Sequence, residues 1–278
     1  MNNTFAFNRF KNLLLKDGKM YIHNFGTNLI VFCCLNAIFW VFNLLFGSSS
    51  VQGFRFGMLC TWTGLAMMMV PEKAYGKANL SREGVAFAML PASSLEKFIS
   101  MFIYCAIVTP VVVFFGGYLV DALLSLFPFG GFEKPIHLYS LNELAAMADN
   151  SEGVVQSSNM ELSFGDVFPI GVMRTSLYMG IIQWAAIFML GNLLFKKHKT
   201  GKTFACYLGI GYVLSTIMGA IMVSSDRMQQ WMNRISDYPT EDLIRFTHNA
   251  TIWGMVIGII VTALLLFFTY RKIKTQKY

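Results

Sequence analysis

Six long runs of apolar residues alternate with polar and often charged segments along the 278-residue chain. A helix that crosses a bilayer needs about 20 mostly apolar residues, and each run approaches or exceeds that length. The pattern therefore predicts an all-α polytopic membrane protein with six transmembrane helices. The predicted spans are residues 29–46, 54–70, 98–127, 170–195, 204–223 and 251–270.

Two of these spans depart from a simple apolar helix. The second carries Arg55 near its start and follows closely on the turn residues 47–50, so it is the weakest of the six. The third is long and contains Thr109-Pro110, and proline in a helix interior removes a backbone donor and clashes with the preceding turn. We expect the third span to be tilted or broken at that point.

The composition agrees with a membrane protein and excludes two other classes. Hydrophobic residues make up 55% of the chain and charged residues 13%, whereas soluble domains carry about 25% charged residues. A soluble domain must wet its outside, and a disordered chain has little to bury. Neither description fits this sequence.

The charges divide unequally between the two sides of the predicted bundle. If all six spans cross, one side holds 16 of the 22 basic residues and 4 of the 15 acidic residues, for a net charge of +12. The other side has a net charge of −5. Lys and Arg are enriched in cytoplasmic loops, so both termini are predicted to be cytoplasmic. The basic surplus then marks juxtamembrane anchors, and nucleic acid is not an expected partner.

The whole chain, 1–278, is predicted to form a single transmembrane domain with four segments outside the spans. Residues 1–28 form an N-terminal arm in which Phe7, Phe10 and Leu14 recur at helical spacing, which favours an interfacial amphipathic helix over a simple basic anchor. The other segments are a cytoplasmic loop at 72–97, an acidic outer loop between spans three and four at 128–169, and an outer helical segment at 224–250.

Residues that carry catalysis or bind metals are not grouped in this sequence. It contains no P-loop, GxSxG or HExxH motif, its five cysteines form no CxxC pair, and its four histidines are scattered. We therefore expect no enzyme activity, catalytic residue, metal site or cofactor. Arg55, Asp121 and Arg174 are expected near the outer ends of spans, where a long cation can snorkel to water. Such scarce intramembrane charge argues against ion-coupled transport.

The cytoplasmic loop carries the most informative motif. It reads Leu90-Pro91-Ala92-Ser93-Ser94 and then Glu96-Lys97 at the entry to span three. The serines are suited to cap a helix that starts at about Leu95, with Glu96 in its first turn. Phe87, Met89 and Leu90 offer apolar docking contacts, and Arg82 and Glu83 offer polar ones. A loop that lies on lipid headgroups and binds nothing remains an alternative.

This motif and the overall layout resemble the permease subunits of bacterial, six-span ABC-2 type transporters. The layout covers the whole chain, whereas the motif covers about twenty residues, and the large outer loop departs from a minimal permease of this type. The resemblance implies a coupling helix that docks on a separate ATP-binding subunit. The implied docking residues are Arg82, Glu83, Phe87, Met89, Leu90, Pro91, Ala92, Ser93, Ser94, Glu96 and Lys97.

The resemblance also implies a function and a location. The expected protein is the permease of an ATP-driven exporter in the bacterial cytoplasmic (inner) membrane, paired with a second permease as a homodimer or heterodimer. One rival is a non-transport membrane protein, an assembly factor or sensor, that binds a partner through its acidic outer loop. Another is a membrane-embedded enzyme, which would require Asp121, Arg174, Asp226 and His248 to converge.

Overall fold

The computed structural model describes residues 5–46, 52–76, 84–127, 132, 134–137, 170–224 and 240–275. All regular secondary structure in these ranges is helical. The helices are α1 (Phe7–Cys34), α2 (Ala37–Phe46), α3 (Gln52–Tyr75), α4 (Gly84–Ala88), α5 (Ser94–Phe102), a π-helical segment (Ile103–Val108), α6 (Thr109–Leu124), α7 (Ile170–Leu194), α8 (Lys199–Ser224) and α9 (Thr240–Thr275).

In the described ranges, five helical stretches are long and apolar enough to cross a bilayer, and the chain is therefore a multi-pass membrane protein. They are Phe7–Phe46, Ser94–Leu124, Thr175–Leu194, Lys199–Ala220 and Thr247–Thr275. Each overlaps one of the predicted spans. The remaining predicted span corresponds to α3, which has 24 residues but includes Arg55 and several small or polar residues that lower its hydropathy. A crossing by α3 stays a prediction.

The N-terminal arm and the first span share one helix. We expected an interfacial helix within 1–28 and a separate span from residue 29, but α1 runs without interruption through 28 residues, from Phe7 to Cys34. A turn at Leu35 and Asn36 then separates α1 from α2. The boundary near residue 28 is therefore not a helix boundary, since no residue there breaks the helix.

The third span continues past Pro110 instead of breaking there. The six-residue π segment Ile103–Val108 lies directly before α6, and the backbone N–H of Thr109 bonds to the carbonyl of Tyr104, five residues earlier. Pro110 cannot donate to the helix, and the wider π turn absorbs this local mismatch. The predicted break is therefore a local change of helix type.

The chain divides into two compact units. The first comprises 1–138, 181–203 and 263–278, and its buried core is made by α1, α3, the α5–α6 stretch, α7 and the end of α9. Glycines allow close packing in this unit. A Cβ added at Gly117 would lie 2.5 Å from Leu59, and one at Gly116 would lie 2.6 Å from the Cys33 sulfur.

The second unit comprises 139–180 and 204–262. Most of α8 and much of α9 belong to it. In the apolar windows of the spans Lys199–Ala220 and Thr247–Thr275, only 6% of residues are buried. Apolar helices that bury so little against their own chain cannot be stable in water, because their exposed side chains would be hydrated. The bilayer supplies the missing apolar surroundings.

Candidate functional site

The loop that enters the third span forms a defined structure. The short helix α4 is followed by a turn through Met89 to Ala92, and Ser93 then caps α5. The Ser93 hydroxyl accepts a hydrogen bond from the Glu96 backbone N–H at 3.2 Å, and the Ser93 N–H donates to Glu96 Oε2 at 2.8 Å. This reciprocal capping box confirms the predicted helix start to within a residue.

The second carboxylate oxygen of Glu96 reaches the N-terminal helix. Oε1 accepts a hydrogen bond from the backbone N–H of Ala6 at 2.8 Å and lies 3.5 Å from Nη2 of Arg9. Ala6 is the N-cap of α1, and alanine has no side-chain acceptor of its own. Glu96, fully buried, thus occupies the positive N-terminal ends of two helices at once. It joins α1 to α5 across 90 residues of sequence.

Lys97 links α5 to α4 through contacts with Phe87. Its Nζ donates to the carbonyl oxygen of Phe87 at 2.8 Å and lies 5.1 Å from the centroid of the Phe87 ring. The carbonyl belongs to the last turn of α4, where a cation is favoured by the helix dipole. Glu96 and Lys97, adjacent in sequence, therefore hold α4, α5 and α1 in one arrangement.

Four apolar residues of the loop are exposed. Met89 is 76% exposed, Leu95 42% and Val85 39%, and Pro91 is also exposed. We call Val85, Met89, Pro91 and Leu95 the loop surface. Glu96 and Lys97 thus bond within the chain, whereas these four residues leave hydrocarbon exposed.

The predicted docking residues fall into three groups. Met89 and Pro91 are exposed, whereas Phe87, Leu90, Ala92 and Ser94 are partly buried. Ser93, Glu96 and Lys97 are buried and bond within the chain, so here they position the segment and present little surface of their own. Arg82 and Glu83 lie outside the described residues. Val85 and Leu95 were not among the predicted docking residues, and no motif marks either of them in the sequence.

A second carboxylate links α3 to α8. Glu72 accepts hydrogen bonds from the backbone N–H groups of Thr200 at 2.7 Å and Lys199 at 3.4 Å, at the start of α8. The ammonium group of Lys199 donates in return to the carbonyl of Gly76, just beyond α3. Burial acts to raise the pKa of Glu72, but the bonds from Thr200 and Lys199 outweigh it and hold this pKa below its ordinary value. Two neighbouring helix ends thus cap each other.

Polar side chains also attach α1 to the third span. The hydroxyl of Ser100 donates to Asp17 Oδ2 at 2.6 Å, and the hydroxyls of Tyr21 and Thr109 lie 2.9 Å apart. The residues that α1 buries are Leu13, Asp17, Tyr21 and Phe25, at four-residue spacing. Phe7, which the helical spacing of the arm singled out, is 70% exposed, whereas Asp17 entered the sequence analysis only as one of the four acids on the predicted cytoplasmic side.

A buried ion pair links the other end of the third span to α3. Arg55 Nη1 lies 2.9 Å from both carboxylate oxygens of Asp121, and Nη2 donates to the Lys134 carbonyl at 2.7 Å. Asp121 also accepts from the Ile136 N–H at 3.0 Å, and the Arg55 guanidinium lies 4.0 Å from the Phe132 ring centroid. We call these five residues the outer clamp. The expectation that Arg55 snorkels to water is wrong, because its side chain is 1% exposed.

The enzyme alternative requires four ionisable residues to converge, and the structure describes the side chains of only some of them. Asp121 pairs with Arg55, whereas the Arg174 side chain and Asp226 lie outside the described residues. In the part of the chain that the structure describes, no group of three or more His, Cys, Asp or Glu residues is arranged to hold a metal ion.

Comparison of the chain with protein-family models, with curated proteins and with solved structures finds no match.

Proposed function

We propose that this chain is the membrane-spanning permease subunit of an ATP-driven ABC exporter, energised by a separate ATP-binding subunit. It works as a homodimer or as a heterodimer with a second permease in the bacterial inner membrane, with both termini in the cytoplasm. The substrate is carried by the membrane subunits, while ATP is hydrolysed by the partner. The ATP-binding subunit contacts the loop surface and the neighbouring residues Phe87, Leu90 and Ala92.

The observation that carries this proposal is the double cap made by Glu96. A docking loop can transmit force only if its backbone is held firmly to the elements that must move. Glu96 bonds to the first backbone amides of α1 and α5, and α5 continues directly into the third span. Displacement of the loop by a partner would therefore move the N-terminal helix and the third span together.

The exposed hydrocarbon of the loop surface supports the same proposal. Apolar groups with a polar surround are typical of the centre of a protein–protein interface, where Met and aromatic residues are enriched. Met89 is exposed on the turn between α4 and α5, and hydrogen bonds of Lys97 and Glu96 fix the position of this turn. A side chain on such a fixed turn is suited to insert into a cleft of a partner, because the turn would lose less conformational entropy on binding than a free loop.

Site-directed photo-crosslinking from Met89 in native membranes tests the proposal. Leu126, at the other end of the third span, is equally exposed at 76% and provides the matched control position. We expect the probe at Met89 to capture a nucleotide-binding protein that the probe at Leu126 does not capture. If Met89 captures no ATP-binding protein, or if both positions capture the same one, the proposal is wrong.

A second experiment uses a variant that should no longer bind the ATP-binding subunit. Leu90→Asp with Pro91→Asp places two charges within the docking segment and should abolish copurification of the ATPase and any transport that depends on it. Lys11→Asp with Asn12→Asp, at two adjacent exposed positions of α1 outside the docking segment, provides the control and should leave copurification unchanged. Retained copurification in the Leu90/Pro91 variant would contradict the proposal.

The rival function, an assembly factor or sensor that binds through its outer loop, has one observation in its favour. The outer clamp holds Phe132, Lys134 and Ile136 against α3 and α6, so these residues at the start of that loop have a defined position. Under this alternative the Leu126 probe captures a partner and the Met89 probe captures none. The same pair of probes therefore separates the two functions.

A further inference from the structure

A groove lies between the C-terminal parts of α7 and α9, within the first unit. Its volume is about 320 Å³, and it is lined by Leu190, Leu194, Phe268, Arg271, Lys272 and Thr275. This volume is at the lower end of the range for small-molecule sites, about 300–1,000 Å³.

The two ends of the groove differ in chemistry. Leu190, Leu194 and Phe268 belong to the apolar parts of two spans, and Leu194 and Phe268 are 54% and 48% exposed. One turn beyond Phe268, Arg271 and Lys272 bring two positive charges, followed by the hydroxyl of Thr275. Hydrocarbon at membrane depth thus gives way to cations and a hydrogen-bonding group where α9 leaves the membrane.

That order of groups matches one class of molecule. A phospholipid presents acyl chains at the depth of the spans and a phosphate at the interface, and basic pockets between spans are typical sites for anionic headgroups. We infer that the groove between α7 and α9 binds an anionic phospholipid, with an acyl chain along Leu190, Leu194 and Phe268 and the phosphate at Arg271 and Lys272. This inference does not depend on the proposed function.

Charge complementarity favours an anionic lipid over other occupants. Neither a free carboxylate ligand nor an apolar peptide would use both parts of the groove. The segment that follows α7 adds Lys196 and Lys197, both exposed. The local field is therefore positive, and acidic lipids accumulate where basic juxtamembrane residues lie.

Native mass spectrometry of the purified full-length protein tests the inference. The probes are phosphatidylglycerol and phosphatidylcholine with identical acyl chains, added to delipidated protein. We expect selective retention of phosphatidylglycerol. The Arg271→Gln/Lys272→Gln variant should weaken this binding roughly 25-fold, because each cation near a membrane surface contributes about fivefold.

Two further variants separate a site from general charge attraction. Lys11→Gln/Lys73→Gln removes the same charge from exposed positions elsewhere and should leave retention unchanged. Leu190→Trp fills the apolar part without changing the charge and should weaken retention of phosphatidylglycerol. The inference fails if the two double variants behave alike, if both lipids bind equally, or if inorganic phosphate displaces the lipid, since the last result indicates a phosphate site only. Far-UV circular dichroism confirms that each variant is folded.

Discussion

The two ends of the third span hold buried carboxylates in opposite ways. Glu96 and Asp121 are separated by about 37 Å along a helix of this length, which approximates the thickness of a bilayer with its headgroups. Glu96 is bound mainly by neutral backbone N–H groups, and its cation, Arg9, is 35% exposed and lies 3.5 Å away. Asp121 faces a cation that is itself buried, at 2.9 Å.

This difference indicates which end of the third span can move when a partner binds. Breaking a buried ion pair leaves an uncompensated charge in a low-dielectric environment, so the outer clamp resists opening. The bonds of Glu96 instead tie the loop to α1 and α5, so these elements can move together without separating a buried ion pair. We therefore expect the Glu96 end to respond to a docked protein and the Asp121 end to stay closed.

The largest effect is expected at the outer clamp. Asp121→Asn removes the charge that compensates Arg55 and should lower the free energy of unfolding by about 3–5 kcal/mol. Denaturant titration in detergent, followed by circular dichroism, measures this change. Arg55→Met/Asp121→Leu removes both charges and should recover most of the loss. If that double variant is as unstable as Asp121→Asn, the buried charge is not the cause.

A smaller effect is expected at Glu96. Glu96→Gln keeps the shape but leaves one acceptor oxygen, so one of the two N–H groups of Ala6 and Ser93 loses its partner, which should cost about 1–2 kcal/mol of unfolding free energy. Because Oε1 caps α1, hydrogen exchange should become faster at the backbone amides of residues 6–10, far from the substitution in sequence.

Ser93→Ala provides the control for this link. It removes the hydroxyl that caps α5 but leaves the bond from Ala6 to Glu96, so exchange should increase at the start of α5 and not at residues 6–10. Equal changes at both places in both variants would contradict separate caps and indicate a single cooperative opening.

The smallest effect is expected for Arg9. Its pairing with Glu96 is long and solvent-accessible, so Arg9→Gln should cost no more than about 1 kcal/mol and less at high salt. Stability measured at low and high ionic strength checks this expectation. A salt-independent loss as large as that of Asp121→Asn would remove the contrast between the two ends of the span.

Local features of this protein were predictable from the sequence. The helix start at Ser94 follows from groups within three residues, since Ser93 and Glu96 bond to each other's backbone. The five spans that the structure supports follow from continuous apolar runs, because burial in lipid depends on the average hydropathy of about twenty residues. The second span was the least certain on the same grounds, since Arg55 lowers that average.

The partners of the buried charges were not predictable in this way. Arg55 and Asp121 are 66 residues apart, and nothing in either neighbourhood marks the other as its counterion. The buried face of α1 was also misjudged, because Asp17 looks like an ordinary surface acid until Ser100 of the third span is placed beside it.

The sequence by itself determined the helical class, the approximate spans, the capping box and the unequal distribution of charge. Each of these depends on composition or on neighbours within a few turns of helix. The tertiary structure alone decided that Glu96 caps α1, that Arg55 pairs with Asp121, and that Met89 projects while Lys97 turns inward. The physical reason is that these outcomes depend on which helices touch, and helix contacts are chosen by packing over the whole unit.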